Sequence, residues 1–324
     1  MTDNAILVGD VGGTNVRLAM AHAADGRVTL SEIWKRPGAD FATFNDALDA
    51  FLVETGARPA GAALGLAGVV ENDQVELLNR GWTVGLADIR TRINGGRLVA
   101  ANDFIAMARA APELEGDDLA TIRAGVRDPH GSAAVGGPGT GFGIAILRRI
   151  AHGWVVAGGE GGHQEFAPVT PLEWELAQAM RRRGVDVSNE LVAGGVGFEL
   201  TRDCLAEVMG AGPRAMSPRD VIAAGLEGDA FAAAFCRLRA ATVMTAMGNL
   251  ALICNAAGGA YIAGGVAQHL APWLDEPEAL KRFTARGPRT PMLESIPIKL
   301  IVSESAPLLG AAHLWLDEQA RGWI

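Results

Sequence analysis

Lysine and cysteine are scarce in this chain, and each shortage argues against a class of function. The 324 residues carry lysine only at positions 35, 281 and 299. None of these lies in a glycine-rich turn, so the GxxxxGK[ST] loop, whose lysine reaches bound phosphates, is absent. Cysteine stands only at 204, 236 and 254, an odd number with no CxxC pair and no histidine at zinc-finger spacing. That pattern speaks against a disulfide framework and a structural zinc. The dinucleotide fingerprint GxGxxG also fails, because Phe142 stands where a third glycine should follow Gly137 and Gly139. No basic leader with an apolar stretch and a small-residue cleavage site follows Met1, so a cytoplasmic location is expected. A formal net charge of -9 speaks against a nucleic-acid or anionic-membrane surface, since both are bound through accumulated Lys and Arg.

Apolar residues make up 49% and charged residues 20% of the chain, the balance of a globular protein. The length is large for one core, which predicts two domains. The segment from Val243 to Leu274 lacks Asp, Glu, Lys and Arg and is long enough to cross a bilayer. Asn249, Asn255 and the pairs Gly258-Gly259 and Gly264-Gly265 interrupt it, and such breaks leave backbone groups unpaired in lipid. A buried helix, a turn and a strand are predicted instead.

The run from Ala5 to Gly9 ends in Asp10-Val11-Gly12-Gly13-Thr14-Asn15, after which Val16 to Ala21 resumes a strand pattern. Ala133 to Leu147 repeats this arrangement around Gly136-Gly137-Pro138-Gly139-Thr140-Gly141, which points to two related halves. Ala62 to Leu66 and Leu98 to Ala101 read as buried strands, and Phe104 to Ala111 as a helix opened by Asn102 or Asp103. Thr170, Pro171 and Glu173 mark the start of another helix, which Gly184 stops. Strands alternating with helices predict an α/β fold. Pro112 to Gly116 is the candidate domain boundary.

Glycine turns between antiparallel strands either make tight hairpins or aim backbone N–H groups at an anion such as phosphate. A carboxylate at the lip of the first turn, Asp10, would repel phosphate unless Mg²⁺ lay between them, directly or through water. Gly258-Gly259 and Gly264-Gly265 flank a third such place. Asn102 and Asp103 follow a strand's carboxyl end, where α/β sheets place ligands, although both are also good helix caps. Glu160 and His163 stand among Gly158, Gly159, Gly161 and Gly162, and a spacing of three puts both on one side of a turn. Taken alone, Glu190 is a first-turn glutamate, and Asn79 is a turn residue or a substrate-loop contact.

Taken in order, GDVGGTNVR at 9–17, ANDF at 101–104, GGPGTGFG at 136–143, GEGGHQEFAP at 159–168, Glu190 and GGAYIAGG at 258–265 resemble the bacterial glucokinase family nearly end to end. The resemblance implies the actin-like ATPase (ribonuclease H-like) fold, with two α/β domains flanking a cleft that closes on sugar and Mg-ATP. The small domain would comprise 1–111 with 310–324, and the large domain 112–309. By position, Gly9, Asp10, Val11, Gly12, Gly13 and Thr14 match the first phosphate loop, Gly139, Thr140 and Gly141 the second, and Gly264 and Gly265 the adenosine contact. Asn102, Asp103, Glu160, His163 and Glu190 match sugar-binding positions, with Asp103 as the catalytic base, and Asn79 is a further candidate substrate contact. ATP and Mg²⁺ are the implied cofactors, glucose the implied partner, and a homodimer the implied assembly. The chain departs from the family in Ala193-Gly194-Gly195-Val196-Gly197-Phe198 and in Ser303-Glu304-Ser305-Ala306-Pro307. Kinases for other hexoses or amino sugars, and ADP or polyphosphate as donor, stay open. A sugar-responsive regulator would need a DNA-binding extension, for which a first strand at about Ala5 leaves no room.

Overall fold

The apolar run that starts at Ile6 forms a strand, β1 (Ile6–Val11), whose successive side chains are buried on opposite faces. Leu7 and Val11 enter one apolar cluster, and Ile6 and Val8 another. A strand covered on both faces has no solvent positions to alternate with, hence the unbroken run. The structure is a computed structural model describing residues 5–12, 14–24, 27–68, 70–77 and 81–323. The chain divides into two compact units, Met1–Asp118 with Arg149–Ala157 and Ser303–Ile324, and Leu119–Arg148 with Gly158–Val302. These limits differ from a division at 111/112 and 309/310. Two 3₁₀ turns, Ala111–Glu113 and Gly116–Asp118, stay with the first unit, and the C-terminal helix begins at Ala306 with Pro307 in its first turn.

In the first unit β1 turns back into β2 (Asn15–Ala24), antiparallel from Ile6 opposite Ala21 to Val11 opposite Val16. β3 (Arg27–Leu30) and β4 (Trp34–Pro37) both pair with β2. α1 (Phe44–Thr55) opens with a capping box between Thr43 and Asp46, and β5 (Gly61–Leu66) then joins β1 in parallel. β6 (Val70–Glu71), β7 (Gln74–Leu77) and β8 (Trp82–Gly85) make a separate small antiparallel sheet. After α2 (Leu86–Arg92), β9 (Arg97–Asn102) lies parallel to β5 and runs directly into α3 (Asp103–Ala110). Phe44, Leu48 and Phe51 of α1 and Ile89 of α2 cover one face of the main sheet. Ala106 of α3 and Leu308, Ala311 and Ala312 of the C-terminal helix Ala306–Ala320 cover the other. These two helices cross in backbone contact at Gly310, where any Cβ would strike the carbonyl of Ala106.

The second unit is built on β10 (Leu119–Arg123), β11 (Ala133–Pro138), most of β12 (Phe142–Ile150), β14 (Ala260–Ile262) and β15 (Ile298–Ile301), whereas most of β13 (Gly153–Gly159) falls within Arg149–Ala157 of the first unit. The strands of the second unit run in the order β10-β15-β14-β11-β12. The β11–β12 hairpin repeats β1–β2: its first strand is antiparallel to the next and parallel to a later one, β14, as β1 is to β5. Its helices include α4 (Pro171–Arg182), α5 (Asn189–Ala193), α6 (Phe198–Val208), α7 (Pro218–Leu226), α8 (Ala230–Cys254) and α9 (Gly265–His269). Thr170 and Glu173 form the capping box of α4 with Pro171 in its first turn. By length and composition α8 could span a membrane, yet 72% of its apolar window is buried in the unit's own core. Its apolarity serves packing.

Candidate active site

Each unit gathers its own set of the residues singled out by sequence. In the first unit, Gly9, Asp10 and Val11 are the last residues of β1, and Gly12 and Thr14 belong to the turn that follows. Gly13 and Asn79 lie outside the described residues. The Gly12 N–H is used inside the hairpin, donating to the Asn15 carbonyl at 3.2 Å. Antiparallel register sets Asp10 opposite Arg17, whose Nη1 donates to Asp10 Oδ2 at 3.2 Å. Arg17 is a residue the sequence reading missed. Counting back across the hairpin from Val11 and Val16 would have paired it with Asp10.

At the end of β9 the Asn102 side chain caps α3, its Oδ1 accepting from the Phe104 N–H at 2.9 Å while its Nδ2 donates to the Gly68 carbonyl at 3.4 Å. The capping duty thus falls on Asn102, and Asp103 is the first helical residue. Asp103 Oδ1 also accepts from the Phe104 N–H, at 2.8 Å. Burial raises the Asp103 carboxyl above the ordinary carboxylate range, and that backbone hydrogen bond partly offsets the rise. Burial likewise raises Asp10, to about 6; Arg17 opposes the shift and the charge of Asp103 adds to it. Two acids that influence each other and resist ionisation invite a positive charge or a proton transfer between them and a ligand.

The sign of the Asp10 shift yields an expected pH dependence. A carboxyl with a folded-state pKa above its unfolded value binds protons more tightly when folded, so its stabilising effect is full below about pH 4 and is lost as pH rises through about 6. In metal- and nucleotide-free buffer, Asp10→Asn should therefore gain melting temperature relative to the wild type as pH rises across that window. A constant difference between the two proteins would contradict the shift.

Among the described residues no group of three or more His, Cys, Asp or Glu side chains could cage a metal. Asp10 offers a hard, partly buried oxygen. This donor suits a cation such as Mg²⁺, which keeps several waters and is held by one or two carboxylates together with a ligand's phosphates.

In the second unit a 3₁₀ turn, Gly161–His163, folds His163 back toward Glu160, with Nε2 to Oε2 at 3.9 Å. The same Nε2 lies 3.6 Å from Glu190 Oε1. Glu190, in the first turn of α5, accepts from the Phe142 N–H through Oε2 at 2.8 Å. Two carboxylates and one imidazole thus form one cluster, with Glu190 anchored to the strand that leaves the Gly139–Gly141 turn. Gly139 closes that turn, its N–H donating to the Gly141 carbonyl at 2.9 Å, and Thr140 is exposed at its tip. Gly264 has φ +103 and presses on Pro138 and Gly139, so a side chain there would be strained twice over. The second and third glycine turns therefore meet, and Gly265 begins α9 beside them.

Comparison with known proteins identifies the family. The sequence model of the glucokinase family matches residues 7–318. A protein named glucokinase from Saccharophagus degradans is 34% identical over 315 residues, covering 96% of this chain and 98% of its own. One of the same name from Chromobacterium violaceum is 36% identical over 314 residues, covering 95% and 88%. The crystal structure of glucokinase from an Antarctic psychrotroph superposes with a TM-score of 0.87 at 32% identity, covering 96% of this chain and 98% of that one. The architecture is the actin-like ATPase fold. With glycine turns recurring in both units and the match running almost from end to end, the chain belongs to the glucokinase family.

Proposed function

We propose that the protein transfers the terminal phosphoryl group of ATP to the 6-hydroxyl of glucose, with Asp103 as general base. The observation that carries this reading is the placement of Asp103: a partly buried carboxylate with a raised proton affinity, at the carboxyl end of β9, the parallel edge strand of the main sheet, and near the charge of Asp10. A sugar hydroxyl is too weakly acidic to ionise at neutral pH. A carboxylate within hydrogen-bond reach that takes its proton as the P–O bond forms contributes about 10² to 10⁴ in rate.

In this proposal the first unit supplies Asp103 and the Asn102 amide to the sugar and the Thr14 hydroxyl to the phosphates, while Gly9, Asp10, Val11 and Gly12 are placed at the phosphates on the resemblance, the Gly12 N–H being used inside the hairpin. The second unit supplies Glu160, His163 and Glu190 to sugar hydroxyls, Gly139, Thr140 and Gly141 to phosphate, and Gly264 and Gly265 to the nucleoside. Gly13 is included on the resemblance alone, and Asn79 as a candidate substrate contact on the sequence alone. Several hydroxyl contacts made together give selectivity, because a sugar lacking one leaves a buried polar group unpaired. Mg²⁺ beside Asp10, directly or through water, would neutralise charge on the phosphates. The two compact units are the proposed domains, and a cytoplasmic homodimer the proposed state.

A coupled assay of phosphorylation across hexoses and across ATP, ADP and polyphosphate tests the reading. The expected result is highest kcat/KM for glucose with ATP. Turnover only with another sugar or donor would reassign the substrate, and none with any pair would overturn the kinase reading.

A further inference from the structure

Arg239 is the one strongly buried arginine of α8, only 4% exposed, with Phe235, Leu238, Ala240 and Val243 among the buried residues near it in sequence. Among the described residues no carboxylate pairs with it, and its Nε is buried without a hydrogen-bond partner. Its guanidinium lies over the rings of Phe235 and Phe198, 5.3 and 5.7 Å from their centroids. Burial lowers its pKa to about 10. Leaving a cation in such surroundings is costly, and removing it from water needs compensation.

The compensation is specific. Nη2 donates to the carbonyls of Ala193 and Gly194, at 2.6 and 2.9 Å. These are the last carbonyls of α5, groups that a helix leaves unsatisfied and that attract positive charge. The segment they belong to holds the second glycine turn at three points. Gly195 N–H donates to the Gly139 carbonyl and Val196 N–H to the Thr140 carbonyl, both at 2.9 Å. At the other end of α5, Glu190 accepts from the Phe142 N–H.

We propose that Arg239 is a positioning residue: by clamping the carboxyl end of α5 it fixes the Gly139–Phe142 turn and Glu190 in one arrangement, and so sets the affinity for the phosphates of the donor. The inference rests on the phosphate-binding role proposed above for Gly139–Gly141. Arg239 also borders a cavity of about 450 Å³ that Phe198, Ile222, Val266 and Leu270 help to line, so a small cation has a route to the place its side chain would vacate.

The test uses Arg239→Met, Arg239→Ala and Arg239→Lys in the full chain. ATP affinity is read by calorimetry, KM and kcat by the coupled assay, and folding by melting temperature. Losing a charge-assisted bond to two carbonyls should weaken ATP binding about ten- to hundredfold, with KM for ATP rising in proportion and kcat changing less than KM. Guanidinium ion at millimolar concentration should restore ATP affinity in Arg239→Ala but not in Arg239→Met, whose side chain fills the space. If both of these variants fail to fold, Arg239→Lys decides. A compact ammonium cannot reproduce the planar fork, and Arg239→Lys should fold while binding ATP more weakly than the wild type. ATP affinity within twofold of wild type in any folded variant overturns the inference, as does a loss of melting temperature alone. A wild type that binds ATP but phosphorylates no glucose would count against the proposed reaction and leave the calorimetric test of Arg239 standing.

Discussion

The Asp103→Asn protein is expected to turn over glucose about 10² to 10⁴ times more slowly than the wild type while still binding it. The substitution is nearly isosteric, and an amide oxygen can still accept from the Phe104 N–H as Asp103 Oδ1 does. Asn102, not Asp103, supplies the helix cap, so α3 keeps its start. What is lost is the proton acceptor. The variant should therefore lower kcat with little change in the glucose Kd, the pattern of an interaction made mainly in the transition state. Because burial holds the Asp103 carboxyl above the ordinary carboxylate range, kcat/KM of the wild type should fall on the acid side as that group takes up a proton, and the residual activity of the variant should lack this limb. Rapid-quench turnover and calorimetric glucose binding measure the two quantities. A kcat within threefold of wild type would remove Asp103 from the chemistry.

A comparably large effect on stability is expected at Asp317. Its carboxylate is buried on the C-terminal helix and takes Arg109 Nε and Nη2 at 2.5 and 3.2 Å, and the Trp154 N–H at 3.3 Å. Arg109, on α3, is 3% exposed and, among the described residues, keeps Glu113 besides, at 2.8 Å. Asp317→Ala therefore strands a buried guanidinium and an amide, and breaking a buried pair from one side costs about 3 to 5 kcal/mol. Urea unfolding should show that loss. The double variant Arg109→Met with Asp317→Ala should recover part of it, because the unpaired cation goes with its partner. A single-variant loss below about 1 kcal/mol would mean that water or another group replaces the carboxylate.

The glycine hairpins, the strands after Gly61 and Arg97 and the capping box of α4 were legible because each is written in adjacent residues. The β1 run and the Gly12–Thr14 turn announce a hairpin without reference to anything distant. The residues Arg149–Ala157 carry no local sign of belonging with the first unit; Trp154 is placed there by a bond to Asp317, 163 positions away. The small sheet β6–β8 escaped for a different reason: its strands are two to four residues long, too short for a period to show. In the candidate site, Glu160 and His163 could be suspected from their glycine neighbours, whereas Glu190 looked like any first-turn glutamate until α5 brought it to His163. Arg239 gave no signal beyond being an arginine in an apolar stretch, since its partners are main-chain carbonyls, which sequence does not display.

The face of the first sheet formed by Ile6, Val8 and Ala63 is covered by the helix Ala306–Ala320, which follows the second unit in the chain. During synthesis, then, the unit whose strands emerge earliest waits with a bare apolar surface while the whole of the other unit is translated and can fold. The unit begun first is closed only after the other has been made, and an apolar surface left bare for that interval is the kind that invites aggregation.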